Sequence, residues 1–472
     1  MAVRRLVGID LGIASAHTVR VLDESGNTIA KRKAVPTVES LREVEAVALA
    51  GAPEGTRLEV VMEPTGPAWL PIVVFFTDRH HLVHRVSSAK ASDLRKFLSR
   101  HTKTNGIDAD TLARLPLFDP DGLQPLQLPG VERAALDRRV RVCDRLTQEA
   151  SRHKVRIKDL VRQLLPMTPL TGDLGAADLA VLERWADPNL LVKAGLKRVT
   201  AVVVKASKNH QGAERAAVWI AAAEASLELY GTNPAVAFSD LAAEVATEVR
   251  LLRSVQNELA AHAAERETAY RWVDGAGLAR SLPGLAEIGG PTVTAIMGDP
   301  ARFANGKQFR SFTGLVARTS ETGDTNRKGQ PMSKAGSSLL RTTFVRAADH
   351  ARKQDPQLAR IYYVQMVERG KDHLGALCVV AANLAERTWA VMNRGMPYVV
   401  CDIDGRPVTP DQAKAIIAEH YTVPADVRAR RRSKKTTGKA PQATRTGRQE
   451  RGDLPRQPSF TATPDQVNRR TA

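Results

Sequence analysis

The sequence predicts an α/β layer domain at its start, then a long helical arm, then a mainly helical C-terminal domain. Three observations carry this. Short apolar strand runs alternate with helical patterns through the first hundred residues; beyond Gly130 the apolar residues recur every three to four positions; beyond Ser281, Gly-rich turns separate long helical stretches. The 472 residues suffice for two or three domains, and at 43% hydrophobic content they can fill real cores.

Leu6 to Asp10 is a short apolar run that ends on an acid. His17 to Leu22 reads as a second strand, Asp23-Glu-Ser-Gly-Asn27 as a turn, and Thr28 to Ala34 as a third strand. A helix is predicted at about Val38 to Ala50, then the strand Leu58 to Met62 and the turn Pro64-Thr-Gly66. A helix near Ala68 to Asp78, the strand His81 to Val86 and the helix Ala89 to Leu98 follow, and Asp108-Ala-Asp-Thr-Leu-Ala-Arg114 opens another helix. A hairpin sheet whose later strands are flanked by helices is the ribonuclease H-like pattern, assigned here to residues 1–128.

Residues 129–275 form the predicted arm. Positions 136, 140, 143, 147, 150, 154, 157, 161 and 164 alternate steps of four and three, an imperfect heptad seam. A second seam runs through Leu241, Val245, Leu252, Val255 and Leu259, weakened by Glu248 and His262. Such helices suit an antiparallel coiled-coil arm, a subunit junction, or equally an ordinary bundle core. Residues 166–233 read as a mostly helical insertion. The domain 276–400 opens with Ser281-Leu-Pro-Gly-Leu-Ala-Glu-Ile-Gly-Gly290, passes a polar loop from Ala317 to Lys334, and continues in helices Ser337 to His350, Pro356 to Arg369 and Leu374 to Arg394. Arg341, Arg346 and Arg352 are expected to make one basic helical side. Gly284, Gly289 and Gly290 suit either a phosphate-holding helix-hairpin-helix or a helix C-cap with a tight turn.

Charge and cysteine content exclude several classes. The net charge of +18 and pI near 10.0 point to a polyanionic partner. Thirteen basic and three acidic residues lie between Arg428 and Ala472, so the stretch 401–472 is expected to be a basic, largely disordered tail. Cys143, Cys378 and Cys401 are scattered, with no zinc-type pair and no disulfide framework, as in a reducing cytosol. Met1 to Arg5 runs directly into a strand pattern, so no leader is expected. The apolar stretch Trp69 to Phe76 is too short to cross a bilayer.

Asp10 and Glu63 each end a strand before a Gly-containing turn, and Asp108 and Asp110 open a helix. Carboxylates so ordered can converge on paired Mg²⁺ ions and run phosphoryl transfer, although any one of them could simply cap an element. The Asp10-Leu-Gly12 strand end also occurs in actin-like and sugar-kinase ATPases, which need a second phosphate loop that the C-terminal half does not supply.

Six motifs resolve the choice. Val7-Gly-Ile-Asp-Leu-Gly12, Glu63-Pro-Thr-Gly66, Lys103-Thr-Asn-Gly-Ile-Asp-Ala109, Leu282-Pro-Gly-Leu285, Phe312-Thr-Gly-Leu315 and Met332-Ser-Lys-Ala-Gly336 stand in the order found in DEDD insertion-sequence transposases. The chain resembles that family, which is related to the Piv invertases and includes bridge-RNA-guided recombinases. The resemblance implies a RuvC-like catalytic domain and DNA cutting and rejoining with two Mg²⁺ ions. Its four metal-binding positions fall on Asp10, Glu63, Asn105 and Asp108, with Asn105 standing where the family has Asp. It further implies a serine nucleophile in the polar loop. The aligned position holds Thr322; Ser320, two residues upstream, is the preferred hydroxyl because a primary alcohol attacks phosphorus more readily, and Ser333 lies nearby. Arg318, Arg327, Lys328, Lys334 and Arg341 are the expected nucleic-acid contacts. The implied partners are DNA, a structured non-coding RNA and further copies of the chain in a dimer or tetramer, in the bacterial cytoplasm on the nucleoid. A non-catalytic nucleic-acid-binding protein is the other alternative.

Overall fold

The computed structural model describes residues 4–99, 102, 104–170, 172–231, 236–319, 321–322, 325–326 and 330–431. The chain divides into two compact units, 1–275 with 294–298, and 276–293 with 299–472.

The first unit opens with β1 (Arg5–Asp10), β2 (His17–Leu22) and β3 (Thr28–Ala34), then α1 (Val38–Leu49), β4 (Leu58–Met62), α2 (Trp69–Asp78), β5 (Leu82–Arg85), α3 (Ser88–Leu98) and α4 (Asn105–Phe118). The strands form one sheet in the order β3-β2-β1-β4-β5. The β1–β2–β3 meander is antiparallel, while β4 and β5 run parallel to β1. This mixed sheet with flanking helices is compatible with a ribonuclease H-like domain.

The alternation of side chains along each strand divides its residues between two faces. Val7, Ile9, Val19, Val21, Val60 and Met62 pack with residues of α1 and α2 in one core. On the opposite face Leu6 and Leu22 meet Ala113 of α4, and Val61 meets Leu112 and Leu115. Gly8 explains how α4 comes so close. A Cβ there would lie 2.0 Å from the Ala109 carbonyl oxygen and 2.4 Å from the Ala113 nitrogen.

The same unit continues in α5 (Val131–Leu164), α6 (Ala176–Trp185), α7 (Pro188–Ala206), α8 (Ala213–Tyr230) and α9 (Phe238–Val273). α5 and α9 pack antiparallel. Arg139 pairs with Glu265 at 2.8 Å near one end, and His153 pairs with Glu248 at 2.6 Å further along. At 1.5 Å per residue, α5 is about 51 Å long. α6, α7 and α8, with α7 broken at Gly195, cluster around the far halves of α5 and α9 and enclose Trp219. The insertion 166–233 is therefore helical wherever it is described, apart from its connecting turns.

The predicted seams are only partly buried. Leu136, Val140, Cys143, Ala150, Ile157, Val161 and Leu164 are buried on α5, whereas Thr147 is exposed and Lys154 half-buried. α9 buries Val245, Val249, Leu252, Arg266 and Tyr270, and leaves Leu241, Val255 and Leu259 half-buried. Polar residues interrupt the heptads, and Glu248 and His262 are accommodated by pairing with His153 and Arg139 respectively.

The second unit holds the first half of α10 (Gly289–Met297), then α11 (Gly306–Thr313), β6 (Glu321–Thr322), β7 (Thr325–Asn326), α12 (Ser338–Ala351), α13 (Pro356–Tyr363), α14 (His373–Arg394), α15 (Pro410–His420) and α16 (Ala425–Arg430). The predicted helix from Pro356 to Arg369 is α13 followed by a π-helical turn, Val364–Glu368. α14 is long and apolar enough to cross a membrane by length and composition alone. In this fold it is the central helix of the unit, burying Ala376, Leu377, Val380, Ala381, Leu384, Ala385, Thr388 and Val391.

Two expectations are corrected here. Residues 401–431 are folded rather than tail-like: the Gln357 side-chain amide donates to the Asp402 carbonyl, and the His373 N–H donates to the Arg431 carbonyl. The tail beyond, 432–472, lies outside the described residues. The expected basic side of α12 also breaks up. Arg346 stands about 140° round the helix from Arg341, and Arg352 pairs with Asp349 at 2.6 Å while lying over the Tyr362 ring.

Candidate active site

Asp10 is the last residue of β1, and Glu63 directly follows β4. Ile9 and Met62 are register partners in the parallel pair, so the two acids extend adjacent strands from the same level. Both follow the alternation onto the face that carries α4: Leu6, Gly8 and Asp10 share that face, and Gly8 pairs with Val61, two residues before Glu63. Their position just beyond the carboxyl ends of parallel strands is where open α/β sheets bind ligands.

α4 runs antiparallel to β1. Ala113 packs on Leu6, and Ala109 lies against Gly8, so the first turn of α4 falls level with Asp10. That turn is fixed by Thr104, whose hydroxyl accepts from the Ile107 N–H at 3.2 Å while its carbonyl accepts from the Asp108 N–H at 2.9 Å. Asn105 stands exposed at the first helical position. Asp108 is half-buried on the α3 side, where Arg95 Nε holds its carboxylate at 3.1 Å. Asp110, a second acid of this turn, lies about 200° round the helix from Asp108 and is tied to Arg114 at 2.7 Å. It is therefore no stand-in for the charge that Asn105 lacks.

Secondary structure thus assembles all four expected positions at one end of the sheet. The carboxylates are not drawn into a cluster: among the described residues no three of His, Cys, Asp and Glu form a group that could hold a metal ion. The donor chemistry fits a hard divalent cation, since three carboxylates and a carboxamide oxygen are what Mg²⁺ prefers. Asp108 would have to exchange Arg95 for the cation.

The loops beside these acids are closely built. The Gly12 N–H donates to His17 Nδ1 at 3.2 Å, which leaves the ring proton of neutral His17 on Nε2; burial pulls the His17 pKa below its ordinary value. A Cβ on Gly12 would sit 2.4 Å from the Ser15 carbonyl oxygen, so this turn needs glycine. A cleft of about 590 Å³ opens between the loops Gly12–His17 and Pro67–Pro71, and none of the four candidate ligands lines it. Sequence reasoning missed Arg95 and His17. Thr104 carried a readable signal, a hydroxyl residue just ahead of a helix.

In the second unit the expected polar loop is a β-hairpin. Ala317 bridges Met332, the Arg318 N–H donates to the Pro331 carbonyl, and the Ser333 N–H donates to the Val316 carbonyl. Thr322 pairs with Thr325 further out. Ser320, Arg327 and Lys328 lie outside the described residues. Ser333 sits in the ladder with its hydroxyl buried and unpartnered. Arg318 is exposed, and Lys334 is exposed at a positive φ of 56°. Arg341 reaches back to donate to the Lys334 carbonyl at 3.2 Å, closing the hairpin's return to α12.

The glycines of the 281–290 segment have packing roles. Gly284 has φ +80°, and a Cβ there would meet the Ala347 carbonyl oxygen of α12 at 2.3 Å. The Gly290 N–H is used within the chain, donating to the Ala286 carbonyl at 3.0 Å. Nor is there a second α/β sheet of the kind an actin-like ATPase requires: among the described residues the only other sheet is the two-stranded β6–β7 ribbon.

Comparison with known proteins agrees with this layout. A DEDD transposase family matches residues 7–166, which contain the sheet, α4 and α5. A second family, described as the transposase IS116/IS110/IS902 family, matches residues 276–363, which contain the hairpin and α12. A protein described as a probable family 20 transposase from Pseudomonas aeruginosa PAO1 is 32% identical over 124 residues, 25% of this chain and 35% of that protein. The chain thus spans about a third of the length of that curated relative. With both matches falling on the regions that carry the candidate residues, the chain belongs to the IS116/IS110/IS902 family of transposases.

Proposed function

We propose that this chain cuts and rejoins the DNA ends of an insertion sequence, with Asp10, Glu63, Asn105 and Asp108 as the metal-binding set of a RuvC-like centre. The supporting observation is that two adjacent strand ends and the first turn of one helix bring these four residues to one end of one sheet face. Asp10, Glu63 and Asp108 would supply carboxylates and Asn105 a carbonyl oxygen to Mg²⁺, which would neutralise charge developing at the scissile phosphate. The protein's own part is positional. Thr104 holds the helical turn, Arg95 orients the Asp108 carboxylate by pairing with it, and Gly8 lets the helix approach.

The family resemblance supports a hydroxyl of the 317–334 segment as the attacking group: it aligns Thr322, and the greater reactivity of a primary alcohol favours Ser320 instead. Its hydroxyl oxygen would form a bond to phosphorus as the bond to the leaving strand oxygen breaks, and the hydroxyl proton would pass to the leaving oxygen through a base. The ester conserves the bond energy for rejoining. Arg318, Arg327, Lys328, Lys334 and Arg341 would steady the phosphates. A guide RNA and an oligomer that pairs the acids of one copy with the serine of another complete the reading, in the cytoplasm on the nucleoid.

The test is strand transfer in Mg²⁺ with the element's own ends and flanking RNA. Asp10→Ala is expected to yield no product while keeping its melting temperature and its DNA binding. Undiminished transfer by that variant would overturn the catalytic reading.

A further inference from the structure

Arg20, Lys31 and Lys33 share the sheet face of Asp10, and none of them has a carboxylate partner among the described residues. Asp10 pairs across β1–β2 with Thr18, and Gly8 with Arg20. Across β2–β3, Thr18 pairs with Lys33 and Arg20 with Lys31. Directly opposed residues point to the same side, so Arg20, Lys31 and Lys33 all lie on the α4 face. α4 packs over β1 and β2, and Lys31 and Lys33 on the edge strand β3 are exposed.

The heads of Lys33 and Arg20 reach inward across this face, to Thr18 and to the first turn of α4. Lys33 Nζ donates to the Thr18 hydroxyl at 2.6 Å, one strand from Asp10. Arg20 reaches the first turn of α4, its Nη2 standing 2.6 Å from where a Gly106 Cβ would be. Among the described residues none of the three forms an ion pair with a carboxylate. The nearby Asp110 is occupied by Arg114. Lys31 and Lys33 are about 6.8 Å apart along the strand, so the row is extended rather than a point cluster.

We propose that Arg20, Lys31 and Lys33 form a phosphate-binding row that leads a single DNA strand across β3 and β2 onto Asp10. Unpaired cations raise the local concentration of a polyanion. A single strand fits better than a duplex because the row is one side chain wide and ends on the candidate centre. DNA is the assigned strand because the row leads to the acids proposed to cut it, so this assignment rests on the proposed function. Lysine on an edge strand also discourages strand addition, but Arg20 lies one strand inside the edge, where that purpose has no use for it.

The test is binding of the full chain to a short labelled single-stranded DNA across a salt series, with an RNA of the same sequence in parallel. Lys31→Gln/Lys33→Gln removes two phosphate contacts, so the salt slope for DNA should flatten by about 1.4 and affinity at low salt should fall more than tenfold. Lys193→Gln/Lys197→Gln, which removes two exposed charges from α7, should change the slope far less. Wild-type binding by the β3 pair, or an equal loss in the α7 pair, overturns the row. A loss confined to RNA overturns the DNA assignment. Asp10→Asn separates the two readings: if it blocks cutting while the β3 variant binds normally, the row fails and the catalytic centre stands. If the β3 variant loses binding while Asp10→Asn still cuts, the centre fails and the row stands.

Discussion

Gly8 is the residue on which the candidate centre depends without belonging to it. With backbone atoms of α4 at 2.0 and 2.4 Å from a built Cβ, no side-chain rotation can make room. Gly8→Ala should push α4 from the sheet, cost roughly 1–3 kcal/mol, lower the melting temperature by several degrees and impair strand transfer. An unchanged melting curve with normal transfer would show that the helix has slack. Glu59 makes a different kind of prediction. Burial alone would raise its pKa, but hydrogen bonds from His84 and Arg4 outweigh that and hold it below the ordinary 4.5. A depressed carboxylate stabilises the fold above its unfolded pKa, and that stability disappears as pH falls through the folded one. Glu59→Gln should therefore lower stability near neutrality and flatten the loss of stability below about pH 4.5, read from melting temperatures across pH. At this scale the places of Asp10, Glu63 and Asp108 at the ends of strands and the start of a helix were legible, because acids at such ends announce themselves, while the role given to them remains a proposal. Arg95 and Arg20 were not, because nothing along the chain tells a surface arginine which element it will face after folding.

Among elements, the strands and helices of the first domain follow their sequence signals closely because each is short, strongly patterned and bounded by turn residues. β2 and β3 occupy the predicted spans. The polar loop between Ala317 and Lys334 was misread, since its strands are brief and polar and so carry no apolar alternation. The chain's end was misread for a related reason: α15 and α16 bury few residues, but Thr409 and Gln412 form a capping box and Arg431 bonds back to the body. A chain ending at 427 loses most of α16 and that bond, whereas one ending at 431 keeps both. The shorter form should melt a few degrees lower, as thermal denaturation would show; equal melting temperatures would mean that α16 adds nothing.

For the molecule as a whole, charge is the property that sequence reports without needing a fold. Residues 432–472 hold ten basic and three acidic residues of a chain whose net charge is +18. Removing them should weaken non-specific DNA binding and flatten its salt dependence, while strand transfer at low salt persists. A salt slope that does not change would place the electrostatic grip entirely on the folded units. The seams in α5 and α9 were visible as heptads, yet their antiparallel pairing rests on Arg139 with Glu265 and His153 with Glu248, partners more than ninety residues apart. Periodicity marks a sticky face without naming what adheres to it.

α5 and α9 run side by side and antiparallel, and α6, α7 and α8 pack around their far halves. The pair therefore acts as a spacer whose length is set by helix rise alone. Seven residues added at matching levels of both helices would carry the α6–α8 cluster about 10.5 Å further from the Arg139–Glu265 pair and turn it by only about 20°.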